Sequence, residues 1–416
     1  MLTRFARRAA LLAGLCLFNA SALTATERTD SPLSLPASTN PAHDFAQWLP
    51  VLRNEALASG IRADLFDRLF AGMTPDTAVI RADSDQPEFS RPVWEYLDSA
   101  TAASRVRQGR QLLASQQRLL HAIEQRYGVD RHMLVAIWGM ESNFGSNIGS
   151  KDVIRSLATL AWHGRRADFA RQQLLAALLI VQQGHYRGPL LPGSWAGAMG
   201  QTQFMPTTFL EYAVDFDGDG RKNLWYSSAD ALASTASYLQ RSGWQSGQRW
   251  GQQVFLPAGF DYALADPQVR RPVSQWLALG VRPGLSLRAG ELRQNASLLL
   301  PAGHRGPAFL VLDNFSTLLV YNNSTAYALG VALLADQLAG AGPLQASWPL
   351  DEPPLSRSQR IELQERLGAL GFNPGVADGI IGANTRAAVR ASQQQLGWPA
   401  DGQPTLRLLE TLRRQH

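Results

Sequence analysis

A chain of 416 residues, 45% hydrophobic and 18% charged, has room for two or three domains and a sizeable core, which excludes an intrinsically disordered protein. Its net charge of +5 favours acidic partners, yet no long Lys/Arg block and no nucleic-acid motif accompanies it, which argues against nucleic acid. The only cysteine, Cys16, excludes an intrachain disulfide.

Residues 1–25 read as a secretory signal peptide. Arg4, Arg7 and Arg8 form a basic start, Ala9 to Phe18 an apolar stretch too short to span a membrane stably, and Ala20-Ser21-Ala22 a small-residue cleavage site. Leu15 before Cys16 is not the small residue that a lipid-modified cysteine requires. The expectation is a periplasmic protein without a stable membrane anchor. Residues 26–42 form a linker rich in Ser, Thr, Pro and Ala.

Helical patterning starts near Phe45 and dominates to about residue 250. Leu65, Phe66, Leu69 and Phe70 share one face, and Leu112, Leu113, Gln116, Leu119, Leu120 and Ile123 share another with one interruption. Asp130 reads as the N-cap of a helix carrying Met133, Leu134, Ile137, Trp138 and Met140, with a stop at Asn143 and Gly145. Glu141 then sits at the open end of an apolar helix. Such neighbours strip water from a carboxylate and raise its pKa, as a general acid requires. Leu174 to Val181 is apolar enough for a buried central helix.

The stretch Gly193 to Thr202, just before Phe204, is rich in glycine and alanine and lets the backbone approach a ligand closely. Gln201 and Gln203 supply amides suited to hydroxyl and N-acetyl groups rather than phosphates. Pro206 suits the first turn of a further helix. The loop Asp215-Phe216-Asp217-Gly218-Asp219-Gly220 has oxygen ligands at positions one, three and five of an EF-hand pattern and glycine at six. Arg221 at seven offers a backbone carbonyl, but Asn223 and Tyr226 stand at nine and twelve. Ser227-Ser228-Ala229-Asp230 also reads as a capping box. From 251 to 320 the apolar runs shorten, and Leu298 to Leu300 and Ala308 to Leu312 read as strands.

Together the segments Trp138-Gly139-Met140-Glu141-Ser142-Asn143-Phe144-Gly145 and Ala196-Gly197-Ala198-Met199-Gly200-Gln201-Thr202-Gln203-Phe204-Met205-Pro206 resemble the catalytic domain of the B-type lytic murein transglycosylases. Trp162-His163-Gly164-Arg165-Arg166, the acidic loop, and Tyr321-Asn322-Asn323-Ser324-Thr325-Ala326-Tyr327-Ala328 agree, and the resemblance covers residues 43–342. It implies a mainly α (α+β) lysozyme-like domain that cleaves the MurNAc-GlcNAc β-1,4 bond of peptidoglycan without water. Glu141 is then both acid and base, and Ser194 orients it. Gln203, Phe204, Met205, Tyr238, Tyr321, Asn322, Tyr327 and Tyr96 contact substrate, and Arg165 and Arg166 meet stem-peptide carboxylates. The resemblance also implies structural calcium, not a catalytic cofactor, held by Asp215, Asp217, Asp219, the Arg221 carbonyl and Asp230. A lysozyme-type hydrolase would need a second carboxylate, for which Asp168 is one candidate. A wall-binding scaffold would need no acid at all.

Residues 343–354, with four prolines, read as a linker. Residues 355–414 resemble the small three-helix peptidoglycan-binding domain of cell-wall hydrolases. A helix over 359–370 is followed by paired turns at Asp378-Gly379 and Asp401-Gly402 that suggest an internal repeat. Ser392-Gln393 departs from that family, which places an aromatic before the glutamine. Peptidoglycan glycan strands are the implied partner, with cell-wall synthesis proteins as further candidates.

Overall fold

The computed structural model describes residues 44–84 and 91–415, so the signal peptide and the first linker lie outside the described residues. Helices Phe45–Ala58, Arg131–Ser142, Val153–His163, Ala167–Gln182, Ser228–Arg241 and Thr325–Leu338 enclose the main core. Arg131–Ser142 lies at its centre, with every residue from Met133 to Gly139 buried. Asp130 caps it by accepting a hydrogen bond from the His132 N–H at 2.8 Å. Ala167–Gln182 is the central apolar helix expected from Leu174 to Val181. Among the described residues no single helix is long and apolar enough to cross a membrane.

One helix expected from sequence is two. Ala103–Ser115 ends and Gln117–Tyr127 begins around Gln116, whose backbone leaves the helical region at φ −107°, ψ 23°. Only Leu120 and Ile123 of the apolar set are fully buried, so the chain turns to keep them in the core while Leu112, Leu113 and Leu119 pack at its margin.

The region 251–312 forms an antiparallel five-stranded sheet with the order Arg271–Pro272, Asn295–Leu299, Ala308–Val311, Gly251–Phe255, Arg282–Pro283. Leu298 pairs with Leu310 and Gln252 with Leu310 from the other side. Val254, Leu298 and Leu310 pack with Trp276 in a separate small core.

The last unit packs helices Arg357–Ala369, Ala383–Gln395 and Leu406–Arg413 around Leu363, Leu367, Val389, Leu408 and Leu412. Its Ser356/Gln359 capping box is complete. The paired turns are built alike: Gln364 accepts from the Gly379 N–H at 2.8 Å, and Gln393 accepts from the Gly402 N–H at 2.9 Å. Gln393 is buried and also donates to Asp401, so this glutamine is committed to the turn even though Ser392 replaces the usual aromatic. The unit touches the rest of the chain through Asp401 with His304 at 2.6 Å and through an Arg390–Asp266 ion pair. Trp348 of the preceding segment lies against Trp94, ring centroids 6.4 Å apart.

Candidate active site

Glu141 is the penultimate residue of its helix. The helix stops because Asn143, Phe144 and Gly145 all take positive φ (50°, 60° and 82°), which folds the Phe144 ring back over the last turn. That ring meets Trp138 edge-on and comes so close to Gly139 that an added Cβ would lie 2.8 Å from it. Gly139 thus costs helix propensity but permits the reversal that leaves Glu141 at an open end. Ser142 fastens the corner, its hydroxyl accepting from the Gly145 N–H at 2.8 Å and donating to the Gln201 carbonyl at 2.5 Å.

The glycine-rich loop is pinned against this corner. Lys151 pairs with Gly193 in a two-stranded ribbon, and an added Cβ on Gly149 would lie 2.2 Å from the Gly193 carbonyl, so two backbones cross with no room for a side chain. Gln201 is buried, its N–H donating to the Leu224 carbonyl and its side chain to that of Trp225. It is a clamp between loops. Gln203 is half-buried at φ 51°, donating to the Gly200 and Ile148 carbonyls at 2.8 and 3.2 Å. Ser194 lies at the start of the loop, where its hydroxyl accepts from the Ala198 N–H at 3.0 Å.

The Glu141 carboxylate accepts a hydrogen bond from the Tyr327 hydroxyl at 2.7 Å. The residue is half-buried, with protein packed around its carboxyl group. Burial pushes its pKa up to about 7, and the Tyr327 hydrogen bond offsets part of that rise. Among the described residues no other carboxylate contributes to the shift. Asp168, weighed as a second acid, is instead an exposed residue paired with Arg171. The Glu141 carboxylate is hydrogen-bonded by Tyr327, while the Ser194 hydroxyl accepts from its own turn.

Tyr321 donates to the Thr202 carbonyl at 2.7 Å, and burial, then the nearby Glu141 charge, raises its pKa well above the ordinary value. Its ring packs on Tyr238 and Phe204 at 5.2 and 6.1 Å. Phe204 is only 2% exposed, so its ring supports the tyrosines from behind. Met205 and Asn322 are also buried, at a helix start and a helix end. Tyr96 packs beside Gly330 and Met140, one residue from Glu141. Arg165 and Arg166 lie in the turn before Ala167–Gln182, where Arg165 pairs with Asp83 and Arg166 covers the Phe169 ring. Neither of these partners belongs to the Glu141 cluster.

In the acidic loop, carboxylate oxygens of Asp215, Asp217 and Asp230 lie within 4.8 Å of one another. Asp230 is fully buried at the head of Ser228–Arg241 and accepts from the N–H groups of Phe216 and Asn223. Ser227 caps that helix through the Asp230 N–H, but the Asp230 carboxylate faces the loop, so only half of the expected capping box forms. Asp219 turns away to its own loop backbone and the Arg221 guanidinium. Three carboxylates whose oxygens converge this closely fit a hard divalent ion.

The fold and the enclosed glutamate define a glycan-cleaving enzyme of lysozyme-like architecture. Residues 44–336 match the transglycosylase SLT domain family, and residues 356–412 match a peptidoglycan binding domain family. The chain belongs to the transglycosylase SLT domain family and is a lytic transglycosylase. It is 33% identical to membrane-bound lytic murein transglycosylase B of Escherichia coli K12 over 292 residues, 68% of this chain and 77% of that protein. Among solved structures it is similar to SltB3 of Pseudomonas aeruginosa in complex with NAG-anhNAM-pentapeptide, at 59% identity and TM-score 0.87, covering 89% of this chain and all of that one. It is also similar to Escherichia coli Slt35 in complex with calcium, at 30% identity and TM-score 0.62, covering 73% of this chain and 98% of that one.

Proposed function

We propose that this enzyme cleaves the MurNAc-GlcNAc β-1,4 bond of peptidoglycan with Glu141 as sole acid and base. The observation that carries this reading is an enclosed carboxyl group whose pKa burial pushes up to about 7, beside which no second carboxylate acts among the described residues. Protonated Glu141 gives its proton to the oxygen leaving the anomeric carbon of MurNAc. The substrate's own N-acetyl group stabilises the developing cation. The Glu141 carboxylate then takes the proton of the same sugar's C6 hydroxyl as that oxygen attacks the anomeric carbon. A 1,6-anhydro ring closes, no water is consumed, and the proton is back on Glu141. Tyr327 positions the carboxyl group, and Tyr321, Tyr238, Gln203 and Ser194 border the sugar groove, with Tyr96 behind Met140. We extend the same reading to a catalytic unit over 43–342, a linker over 343–354 and a wall-binding unit over 355–414 that raises the catalyst's effective concentration on the polymer. The N-terminal sequence supports export by a signal peptide to the periplasm.

The pH dependence of turnover tests the role of Glu141. The acid must be protonated in the free enzyme, so kcat/KM is flat below its pKa and falls tenfold per pH unit above about 7. Tyr327→Phe removes a hydrogen bond that favours the carboxylate, so the descending limb moves to higher pH. A limb that stays in place would remove Tyr327 from this role.

Asp215, Asp217 and Asp230 would hold a structural calcium ion that cross-links the loop to its helix, with no part in the chemistry. Added calcium is expected to raise the melting temperature of the wild type and of Asp219→Asn, but not that of Asp217→Asn. Identical melting of the wild type with calcium and with chelator would contradict it.

A further inference from the structure

A cleft of about 230 Å³ lies where three parts of the chain meet, walled by Arg91 and Trp94, by the 349–355 segment, and by Arg360, Ile381 and Arg386 of the C-terminal unit. It is smaller than the roughly 300–1,000 Å³ of pockets that enclose drug-sized ligands, so it suits the last residue or two of a peptide and not a disaccharide. The walls carry three arginines against one acid, Glu352, and that acid already faces Arg305 at 3.7 Å.

Arg386 is the informative residue. Its side chain is half-buried, and burial, then the charge of Arg390, pulls its pKa below the ordinary value against the opposing charge of Asp401. No described residue gives it a hydrogen bond or an ion pair. The neighbours that could do so are committed elsewhere: Arg390 binds Asp266, and Asp401 spends one oxygen on His304 and the other on Gln393 and the Gln403 N–H. Asp401 acts on this charge without bonding to it, and a guanidinium is best bonded by a planar carboxylate.

We propose that this cleft is a carboxylate-binding site, apart from the glycan groove, that takes the C-terminal end of a peptidoglycan stem peptide. Arg386 meets the carboxylate, Arg91 adds charge at the rim, and Trp94 and Ile381 cover the small apolar side chain beside it. The inference rests on peptidoglycan being the substrate. It is a separate contact from the one expected of Arg165 and Arg166, which lie beside Asp83 and Phe169.

Calorimetric titration of the full mature chain with free pentapeptide stem, with its C-terminal carboxamide, and with acetate tests this assignment. The acid is expected to bind at least about tenfold more tightly than the amide, with a similar loss in Arg386→Gln, partial recovery in Arg386→Lys, and no competition from acetate at equal concentration. Arg91→Gln, a change at an exposed rim, should weaken binding severalfold and carries the test if Arg386→Gln fails to fold. Equal affinity for acid and amide, unchanged affinity in both glutamine variants, or equal competition by acetate would overturn the proposal. Cleavage of glycan strands stripped of stems separates the two readings. A wild type that cleaves them but does not discriminate acid from amide refutes only the cleft, whereas one that cleaves no strand refutes the proposed function.

Discussion

Glu141→Gln is expected to lower the rate of glycan-strand cleavage by about 10³-fold or more, because one group is asked to give a proton and then retrieve one, and an amide does neither. The variant should stay folded. A carboxyl pKa raised to about 7 in the folded protein, against an ordinary value of 4.5, means that folding holds the proton more tightly than the unfolded chain does. Its contribution to stability is therefore full below pH 4.5 and is lost as pH rises through 7. Glutamine removes that loss, so the variant should melt above the wild type at pH 8 and close to it at pH 4. Thermal melting at both pH values checks this, and a lower melting temperature at pH 8 would show that the side chain is not held as described.

Gly149→Ala is expected to cost about 3 kcal/mol of stability and about 10²-fold in kcat/KM, although residue 149 touches no substrate in the proposed mechanism. Its φ of +90° disfavours any side chain, and the new Cβ would meet the Gly193 backbone at 2.2 Å. Relief requires the ribbon to part, which moves Ser194 and the glycine-rich loop away from Glu141. Gly184→Ala is the matched control: its φ is +79°, but nothing lies within 4 Å of the added atom, so only the backbone strain of about 1 kcal/mol remains. Equal melting temperatures and rates for the two variants would mean that the crossing does not hold the loop.

Much of this arrangement was legible in the sequence where local chemistry decides it. Asp130 and Asn143 mark the ends of the Glu141 helix by their capping preferences, Pro206 starts its helix, and the two apolar runs near 298 and 308 pair as strands. What escaped was decided by contacts distant in the chain. Gln116 interrupts the apolar face in the sequence but carries no helix-stop signal, and the break leaves Leu120 and Ile123 buried in the core. The Tyr327 hydroxyl reaches Glu141 across 186 positions. Ser142 and Gly149 give no sign of these roles in the sequence, because a hydroxyl that ties two loops and a glycine that lets backbones cross look like ordinary loop residues. Arg386 lies within an ordinary helical pattern, and only the engagement of its neighbours sets it apart.

Mass analysis of soluble products from isolated peptidoglycan treated with purified residues 26–416 tests the central claim most directly. The account predicts fragments ending in 1,6-anhydro-N-acetylmuramic acid from the wild type and none from Glu141→Gln. Reducing ends that have gained a water would contradict it and would require a second carboxylate beside the bond.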